Sequence, residues 1–136
     1  PIGASKEWLS RIQKDPSIKM FGISETAGAF VGTCGLTSID YIHRKAEFSC
    51  FIAPEHQSKG YGKAALKALF NYGFDHLNLH RIWGETLVGN PALKIFLSLG
   101  MKKEGRLHET YYKDGAYSDS IIIGILKEDW EDKHHE

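Results

Sequence analysis

The sequence predicts an α+β fold of one domain, in which paired strands form a sheet and helices cover its faces. Short apolar runs of strand type occur in hairpin-like pairs, and a stripe of apolar residues at helical spacing lies between two of these runs. A chain of 136 residues is long enough for one hydrophobic core but not for two. We therefore expect residues 1–136 to form one domain that ends in a polar tail, residues 129–136.

The N-terminal part of the chain predicts a helix followed by a hairpin. Ser5 is a suitable N-cap and the apolar residues after it recur at helical spacing, so a helix is expected over residues 5–15. The runs 18–24 and 29–36 are of strand type and are separated by a turn over residues 25–28. These two strands are expected to pair antiparallel.

The middle of the chain predicts a central strand, a polar loop and a helix. In the run 45–53 both alternating sets of side chains are largely apolar, which indicates a central strand of the sheet. Pro54 lacks the N–H that a ladder needs and ends this strand. A polar loop leads to Gly60, and residues 66–77 then carry the strongest helical stripe of the sequence.

The last third of the chain predicts a strand, a short helix and a long hairpin. The strand is expected over residues 81–88. Asn90 is a suitable cap for the helix, and Pro91 fits its first position, where no N–H is required. Residues 101–126 are expected to form a hairpin that turns at residues 113–115.

Charge balance and cysteine usage bear on partners and location. Seventeen basic residues offset seventeen acidic ones, so no net field attracts nucleic acid or an anionic membrane, and neither is an expected partner. Cys34 and Cys50 lie in apolar runs without metal-ligand spacing, which favours buried thiols in a reducing, cytoplasmic setting. No signal segment opens the chain, and no apolar run approaches the roughly 20 residues that span a bilayer.

The loop over residues 57–62, between the central strand and the helix, has the composition of a phosphate site. Gly60 and Gly62 let the backbone bend so that successive N–H groups point inward, and a helix N-terminus adds about half a positive charge. Lys59 and Lys63 add full charges at the rim. The alternative is that the two glycines only make a tight turn before a helix, and their spacing alone does not decide between the two.

Two other phosphate-binding motifs fit this loop badly. Residues 60–65 formally match the dinucleotide pattern that ends in alanine, but six residues separate them from the strand, and antiparallel strands flank the site. An oxidoreductase that binds NAD is therefore disfavoured. A P-loop needs Ser or Thr where Ala64 stands, because its hydroxyl holds magnesium.

In this context the loop resembles the hallmark of GNAT acetyltransferases, Gln/Arg-x-x-Gly-x-Gly/Ala between a central strand and a helix. The resemblance extends over residues 30–126. The C-terminal hairpin is similar to the branch that contains ribosomal-protein N-terminal acetyltransferases, a pattern shared with polyamine and amino-sugar-nucleotide acetyltransferases. The supporting segments are residues 44–47, 72–74, 77–82, 90, 99–101, 104–107, 112–119 and 125–126.

The resemblance implies a three-layer α/β/α fold with a mixed, mostly antiparallel, strongly twisted sheet. Strands 45–53 and 81–88 would splay apart, and the pantetheine of acetyl-CoA would lie in the gap. Backbone N–H groups at the end of strand 45–53 would hold the thioester carbonyl. The glycine loop would hold the pyrophosphate. The residues expected to contact acetyl-CoA are Phe51, Ile52, Gln57, Ser58, Lys59, Gly60, Tyr61, Gly62, Lys63, Asn90 and Phe96.

The expected reaction is transfer of an acetyl group from acetyl-CoA to a primary amine. Only the neutral amine attacks the thioester. At pH 7, deprotonating a lysine-like amine of pKa about 10.4 costs roughly 4 to 5 kcal/mol, whereas deprotonating an α-amine near pKa 8 costs about 1 kcal/mol. A general base therefore matters most for the more basic amines. Glu47 and Glu85 are the candidate bases, directly or through a water, and Asn90 would orient that water or the cofactor arm. The alternative interpretation is that both glutamates are ordinary carboxylates at strand edges without a catalytic role.

Two departures from the family pattern lead to a second hypothesis. Many relatives place a tyrosine seven residues after the asparagine as general acid, but this chain has Phe96 in a segment one residue shorter. Relatives also carry a further strand and helix before Ser5, so the acceptor site is expected to be incomplete or finished by another subunit, as in a homodimer. The chain would then be a non-catalytic acyl-CoA-binding or assembly module.

No metal is expected, and the acceptor stays open. His76 and His80 are four residues apart, but no third ligand is evident and His80 is predicted to lie past the helix end. Substitutes for the missing general acid are Tyr111, Tyr112 and Tyr117, although hairpin tyrosines more often pack. A protein N-terminus, a polyamine, an amino-sugar nucleotide or a small drug amine would each use the same cofactor half. A polyamine site would need converging carboxylates, for which the candidates are Glu47, Glu85, Glu109 and Asp119.

Overall fold

The computed structural model describes residues 7–10, 15–26 and 28–134, with side chains from residue 15 onward. Four of the described strands precede the first helix, and helices and further strands follow it, which confirms the α+β class. A 3-10 turn, Pro54–His56, follows the fourth strand. The strands are β1 Glu7–Ser10, β2 Lys19–Ser24, β3 Phe30–Asp40, β4 Lys45–Ile52, β5 Arg81–Leu87, β6 Lys102–Lys113 and β7 Ala116–Leu126, and the helices are α1 Tyr61–Asp75, α2 Leu93–Ser98 and α3 Lys127–His134.

The described strands form one sheet of mixed direction, in the order β1-β2-β3-β4-β5-β7-β6. Every neighbouring pair is antiparallel except β4 with β5, which is parallel. This arrangement confirms the mostly antiparallel sheet and contradicts the parallel sheet that a dinucleotide-binding domain requires. Helix α1 is the crossover that a parallel pair needs.

The parallel pair β4–β5 separates soon after it forms. Its register contains three residue pairs: Lys45 with Arg81, Ala46 with Ile82 and Glu47 with Trp83. Strand β4 then continues to Ile52 beside β3, whereas β5 continues beside β7. The predicted splay is confirmed, and it begins directly after Glu47.

The core fills the face of the sheet that helix α1 covers. The predicted stripe of α1 is buried there, with Leu66, Leu69, Phe70 and Phe74 each at most 1% exposed. Where β4 and β5 part, the ring of Phe48 crosses the gap and packs edge-on against Phe70 and Phe96. A Cβ at Gly84 would lie 2.3 Å from this ring, so the glycine makes room for the aromatic filler.

The predicted N-terminal helix is wrong over the residues that the structure describes. Glu7–Ser10 is a strand that pairs antiparallel with β2, with Trp8 opposite Ile23. Helical spacing of a few apolar residues is a weak local preference, whereas the open edge of β2 offers a row of unpaired backbone groups. The rest of the predicted helix, residues 5, 6 and 11–14, lies outside the described residues.

The predicted polar tail, residues 129–136, is also wrong over residues 129–134, and residues 135 and 136 lie outside the described residues. Residues 127–134 form helix α3, and Trp130 is 3% exposed against the rings of Phe70 and Phe74. Its indole N–H donates to the side-chain oxygen of Asn71 at 2.9 Å, and a ring nitrogen of His134 lies 2.9 Å from the Leu99 carbonyl oxygen. Trp130 is the buried residue of this helix. Because a single apolar residue makes no periodic stripe, the sequence pattern does not predict the helix.

Replacing Trp130 with alanine is expected to lower the free energy of unfolding by about 3–5 kcal/mol, because it leaves a cavity under α3. Denaturant unfolding measures the loss. Glu131→Ala is the matched control, since Glu131 is exposed on the same helix. A loss below about 1 kcal/mol for Trp130→Ala would show that α3 does not depend on this anchor.

Candidate active site

A cavity of about 460 Å³ opens where β4 and β5 diverge, between the start of α1 and helix α2. This volume is typical of a site for a cofactor or small ligand. Ten of the eleven predicted cofactor contacts line it. The predicted residues in its wall are Phe51, Ile52, Gln57, Ser58, Gly60, Tyr61, Gly62, Lys63, Asn90 and Phe96.

The glycine loop forms the N-terminal end of α1 at one side of this cavity. Gly60 has φ 84°, and its carbonyl accepts the N–H of Ala64 at 3.1 Å, so the N–H groups of residues 61–63 have no acceptor within the helix. Together with the positive end of the helix dipole, unpaired N–H groups of this kind suit an anion. Lys63 lines the cavity, whereas Lys59 is exposed and is absent from its wall.

The end of β4 directs one backbone N–H into the gap. The N–H of Ala53 donates to the Val31 carbonyl at 2.8 Å, so the alternation of the antiparallel ladder turns the N–H and C=O of Ile52 away from β3. The side-chain amide of Gln57 donates to that Ile52 carbonyl at 2.9 Å. Of the two predicted donors, Ile52 therefore faces the gap and Phe51 faces β3.

Asn90 stands at the opposite wall of the cavity, between β5 and α2. Its side-chain oxygen accepts the N–H of Ala92 at 2.9 Å. The helix itself begins at Leu93, so Asn90 caps the turn that leads into α2 rather than the helix. Phe96 on α2 packs edge-on against Phe48 at 5.2 Å between ring centres and also lines the cavity.

The two candidate bases lie on the face of the sheet opposite α1. Ala46 and Phe48 of β4 are buried toward α1, and strand alternation points Glu47 to the other side. Glu47 pairs with Trp83, two residues before Glu85, so both carboxylates share that face at the start of the split. Burial, and then the charge of Glu85, raise the pKa of Glu47 above its usual value.

Comparison with known proteins decides the family. Residues 1–102 match the model of the acetyltransferase (GNAT) domain. The chain belongs to the GNAT acetyltransferase family. This confirms the resemblance stated from the glycine loop and its surrounding strand and helix.

Several relatives of this GNAT domain have names that state a substrate. The spermidine N(1)-acetyltransferase of Vibrio cholerae serotype O1 is 37% identical over 83% of this chain, which spans 66% of that relative, slightly less than two thirds. A solved spermidine N-acetyltransferase from Vibrio cholerae, in complex with CoA and spermine, has a TM-score of 0.83 and 35% identity over 86% of this chain and 70% of that one. A spermidine/spermine N-acetyltransferase from Vibrio cholerae, in complex with manganese ions, has a TM-score of 0.85 and 33% identity over 90% and 72%.

The cysteines of this GNAT domain are disfavoured as nucleophiles by their burial. Cys34 and Cys50 are cross-strand partners, and Cys50 lines the cavity. Burial raises the pKa of Cys50 to about 11 and raises that of Cys34 further. Because the thiolate is the nucleophilic form, an acyl-cysteine intermediate is disfavoured at neutral pH.

The tyrosines considered as general acids lie elsewhere. Tyr111, Tyr112 and Tyr117 are exposed in the C-terminal hairpin, and none lines the cavity. Among the described residues in the cavity wall, Tyr61 is the one tyrosine, and its hydroxyl donates to the carboxylate of Glu25. No tyrosine that the structure describes thus offers a free hydroxyl to the cavity.

Sequence reasoning missed several residues of the cavity wall. Most are apolar residues, which carry no chemical signal of their own. His56 is different, because its Nδ1 atom is buried without a hydrogen-bond partner among the described residues. Its place in the loop just before Gln57 is the signal that would have found it. The missed residues are Cys50, His56, Leu66, Pro91, Ala92 and Ile95.

The described residues contain neither a cluster of metal-ligating side chains nor a helix that could span a membrane. Within residues 15–26 and 28–134, no three His, Cys, Asp or Glu side chains lie close enough together to hold a metal ion. His76 caps α1 and stacks on Tyr72, and His80 lies beyond the helix. None of the described helices is both long enough and apolar enough to cross a membrane.

Proposed function

We propose that this GNAT domain transfers an acetyl group from acetyl-CoA to a primary amine by direct attack of the amine on the thioester. The observation that carries the proposal is the split between β4 and β5. It has a cavity that suits an anion on the α1 face and two carboxylates on the opposite face. The two substrates can therefore meet at the split from opposite sides of the sheet.

The cofactor half of the proposal rests on the cavity wall. The free N–H groups at the start of α1 and the charge of Lys63 suit a pyrophosphate. The gap between the strands suits the pantetheine arm, with Ile52 donating its N–H to the thioester carbonyl, where negative charge develops. Asn90 would hold the arm from the other wall. GNAT acetyltransferases use acetyl-CoA, and a structural neighbour contains CoA.

The chemistry needs one proton acceptor and a leaving thiolate. The amine nitrogen forms a bond to the acetyl carbon, the carbon–sulfur bond breaks, and the sulfur leaves as CoA thiolate. The proton of the ammonium passes to Glu47 or Glu85, directly or through a water. A thiol of pKa about 8.5 leaves with little help, so Phe96 in place of a tyrosine is compatible with turnover.

The acceptor that the site favours is a cationic amine, with a polyamine as the first candidate. Glu47 and Glu85 lie on one face of the sheet, and their charges influence each other. Asp119, by contrast, accepts from Arg106 at 2.8 Å and is already compensated. A pair of carboxylates attracts a second ammonium group of the substrate, and the relatives named above act on spermidine or spermine by name. A protein N-terminus and an amino-sugar nucleotide are the alternative acceptors.

The test combines calorimetric titration with acetyl-CoA and, separately, NAD with a thiol-release assay on a panel of amines. We expect acetyl-CoA to bind, NAD not to bind, and spermidine to release CoA faster than an N-terminal peptide. Binding without turnover on any amine would instead support the non-catalytic acyl-CoA-binding module. Absence of acetyl-CoA binding would contradict the proposal altogether.

Replacing Gly60 with alanine is expected to weaken acetyl-CoA binding by at least tenfold. The residue has φ 84°, and a side chain there strains the turn that aims the N–H groups of α1 at the pyrophosphate. Gly115→Ala is the matched control, because Gly115 has φ 81° at the tip of the C-terminal hairpin with nothing near its Cβ position. Both variants should lose similar stability, but only Gly60→Ala should lose affinity in the calorimeter. Equal affinities would refute the phosphate role of the loop.

A further inference from the structure

The carboxylate of Glu85 is held by a hydroxyl that is fully buried in the sheet. Ser120 on β7 is 0% exposed, and its Oγ donates to Glu85 Oε2 at 2.6 Å. Ser120 Oγ in turn accepts a hydrogen bond from the hydroxyl of Thr110 on β6 at 2.7 Å. A relay of two hydroxyls therefore runs from the exposed edge strand to a candidate base. Glu47 makes no such side-chain hydrogen bond with any described residue.

An irregularity in β6 brings Thr110 to this position. Leu107 is opposite Ser120, and the next pair is Tyr111 opposite Ser118, so β6 advances four residues while β7 advances two. In a regular ladder Thr110 would be opposite residue 117, three residues from Ser120. Bulges are common next to active sites, where they redirect a side chain. Here the bulge returns the Thr110 hydroxyl to Ser120.

The bulge is itself fixed by Asp119, the residue before Ser120. Its Oδ1 accepts the N–H of Glu109 at 2.7 Å, and its Oδ2 accepts from Arg106 Nε at 2.8 Å. Glu109 has φ 53°, a conformation that a non-glycine residue rarely adopts. These contacts hold the strained backbone of β6 in place. They thereby keep the Thr110 hydroxyl within hydrogen-bond distance of Ser120.

We propose that Ser120, with Thr110 behind it, is a positioning residue that orients Glu85 as the proton acceptor for the incoming amine. The inference rests on the proposed function and deepens it. Because Ser120 has one proton and receives another hydrogen bond from Thr110, it donates to Glu85, which is then an acceptor at Oε2. The other carboxylate oxygen is free to face the split. Glu47 contributes its charge to binding the cationic substrate rather than taking the proton.

Ser120→Ala tests the inference with steady-state kinetics and a pH profile. We expect kcat with a basic amine to fall about tenfold or more, while the affinity for acetyl-CoA stays unchanged. Loss of a donor to the carboxylate should also move the acidic limb of the kcat/KM profile to higher pH. Ser120→Thr keeps the hydroxyl and should restore most of the rate. Ser118→Ala, two residues away on β7, is the control and should behave as the wild type.

A second variant guards against a folding defect at the buried site. Thr110→Val removes a hydroxyl from an exposed residue and should shift kcat and the acidic limb in the same direction by a smaller factor. If wild-type protein turns over but both variants keep its kcat and pH profile, the inference is wrong and the relay is structural. If the wild type releases no thiol with any amine, the proposed function fails, and this inference fails with it.

Discussion

Replacing Gly32 with alanine is expected to abolish measurable acetyl-CoA binding and to lower the thermal stability of the domain. Gly32 lies on β3 opposite Ile52, the residue whose N–H faces the gap. A Cβ at position 32 would lie 2.0 Å from the Phe51 carbonyl oxygen and 3.0 Å from the Ile52 Cα. Both atoms belong to the backbone, so no rotamer change relieves the clash. The end of β4 must move away from β3, and overpacking of this kind typically costs 1–3 kcal/mol.

This displacement acts on the site because the wall of the cavity is that same segment. Movement of Ile52 changes the aim of its N–H and breaks the contact between its carbonyl and Gln57. A misplacement of about 1 Å is enough to cost a hundredfold in a preorganised site. Calorimetric titration with acetyl-CoA and thermal unfolding measure the two effects on the same sample.

Gly22→Ala is the matched control for Gly32→Ala. Gly22 is also a glycine in a strand of the same sheet, but a Cβ there would meet its nearest atom, in the Phe30 ring, at an ordinary 3.7 Å. Its variant should bind acetyl-CoA like the wild type. Normal binding by Gly32→Ala would show that the end of β4 does not hold the cofactor.

The parts of this fold that the sequence predicts are those that local patterns determine. The stripe of α1, the strand β4 and the turn at residues 113–115 each follow from neighbours in the chain. The strand β1 depends on pairing with β2, and α3 depends on Trp130 reaching the core. Such long-range contacts leave little trace in the local pattern.

The same distinction holds within the site. The glycine loop is contiguous, so its place in the cavity wall follows from a single motif and one strand–helix junction. The two glutamates are indistinguishable in the sequence, since each stands on a strand beside the split. They differ through a hydroxyl of Ser120, 35 residues from Glu85, and through a bulge that no periodicity encodes. The direction of the Ile52 N–H likewise depends on which residues pair with β3.

Glu85→Gln is expected to lower kcat for a basic amine about a hundredfold or more, because a positioned general base contributes roughly 10² to 10⁴. The amide keeps the size of the side chain and an oxygen that accepts from Ser120. The loss should be smaller for an α-amine acceptor, which is more often neutral at pH 7. Thiol release with both acceptor types measures this ratio. A uniform loss on all amines, or none, would contradict the role of Glu85 as base.

Glu47→Gln should behave differently, and the raised pKa of Glu47 gives the reason. Burial and the charge of Glu85 disfavour its ionised form in the folded protein. The folded pKa lies above the unfolded one, so this carboxyl stabilises the fold below the unfolded pKa, and that contribution is lost as pH rises through the folded pKa. At neutral pH Glu47 therefore destabilises the fold relative to a neutral amide, and Glu47→Gln should raise Tm at pH 7 but not at pH 4.

In turnover, Glu47→Gln should raise the KM of a polyamine several-fold while changing kcat less than Glu85→Gln does. A carboxylate that is kept at a cost in stability is expected where the substrate supplies the compensating charge. Adding spermidine should accordingly stabilise the wild type more than Glu47→Gln in a thermal shift at pH 7. If spermidine raises the Tm of both proteins equally, Glu47 does not meet the ammonium group.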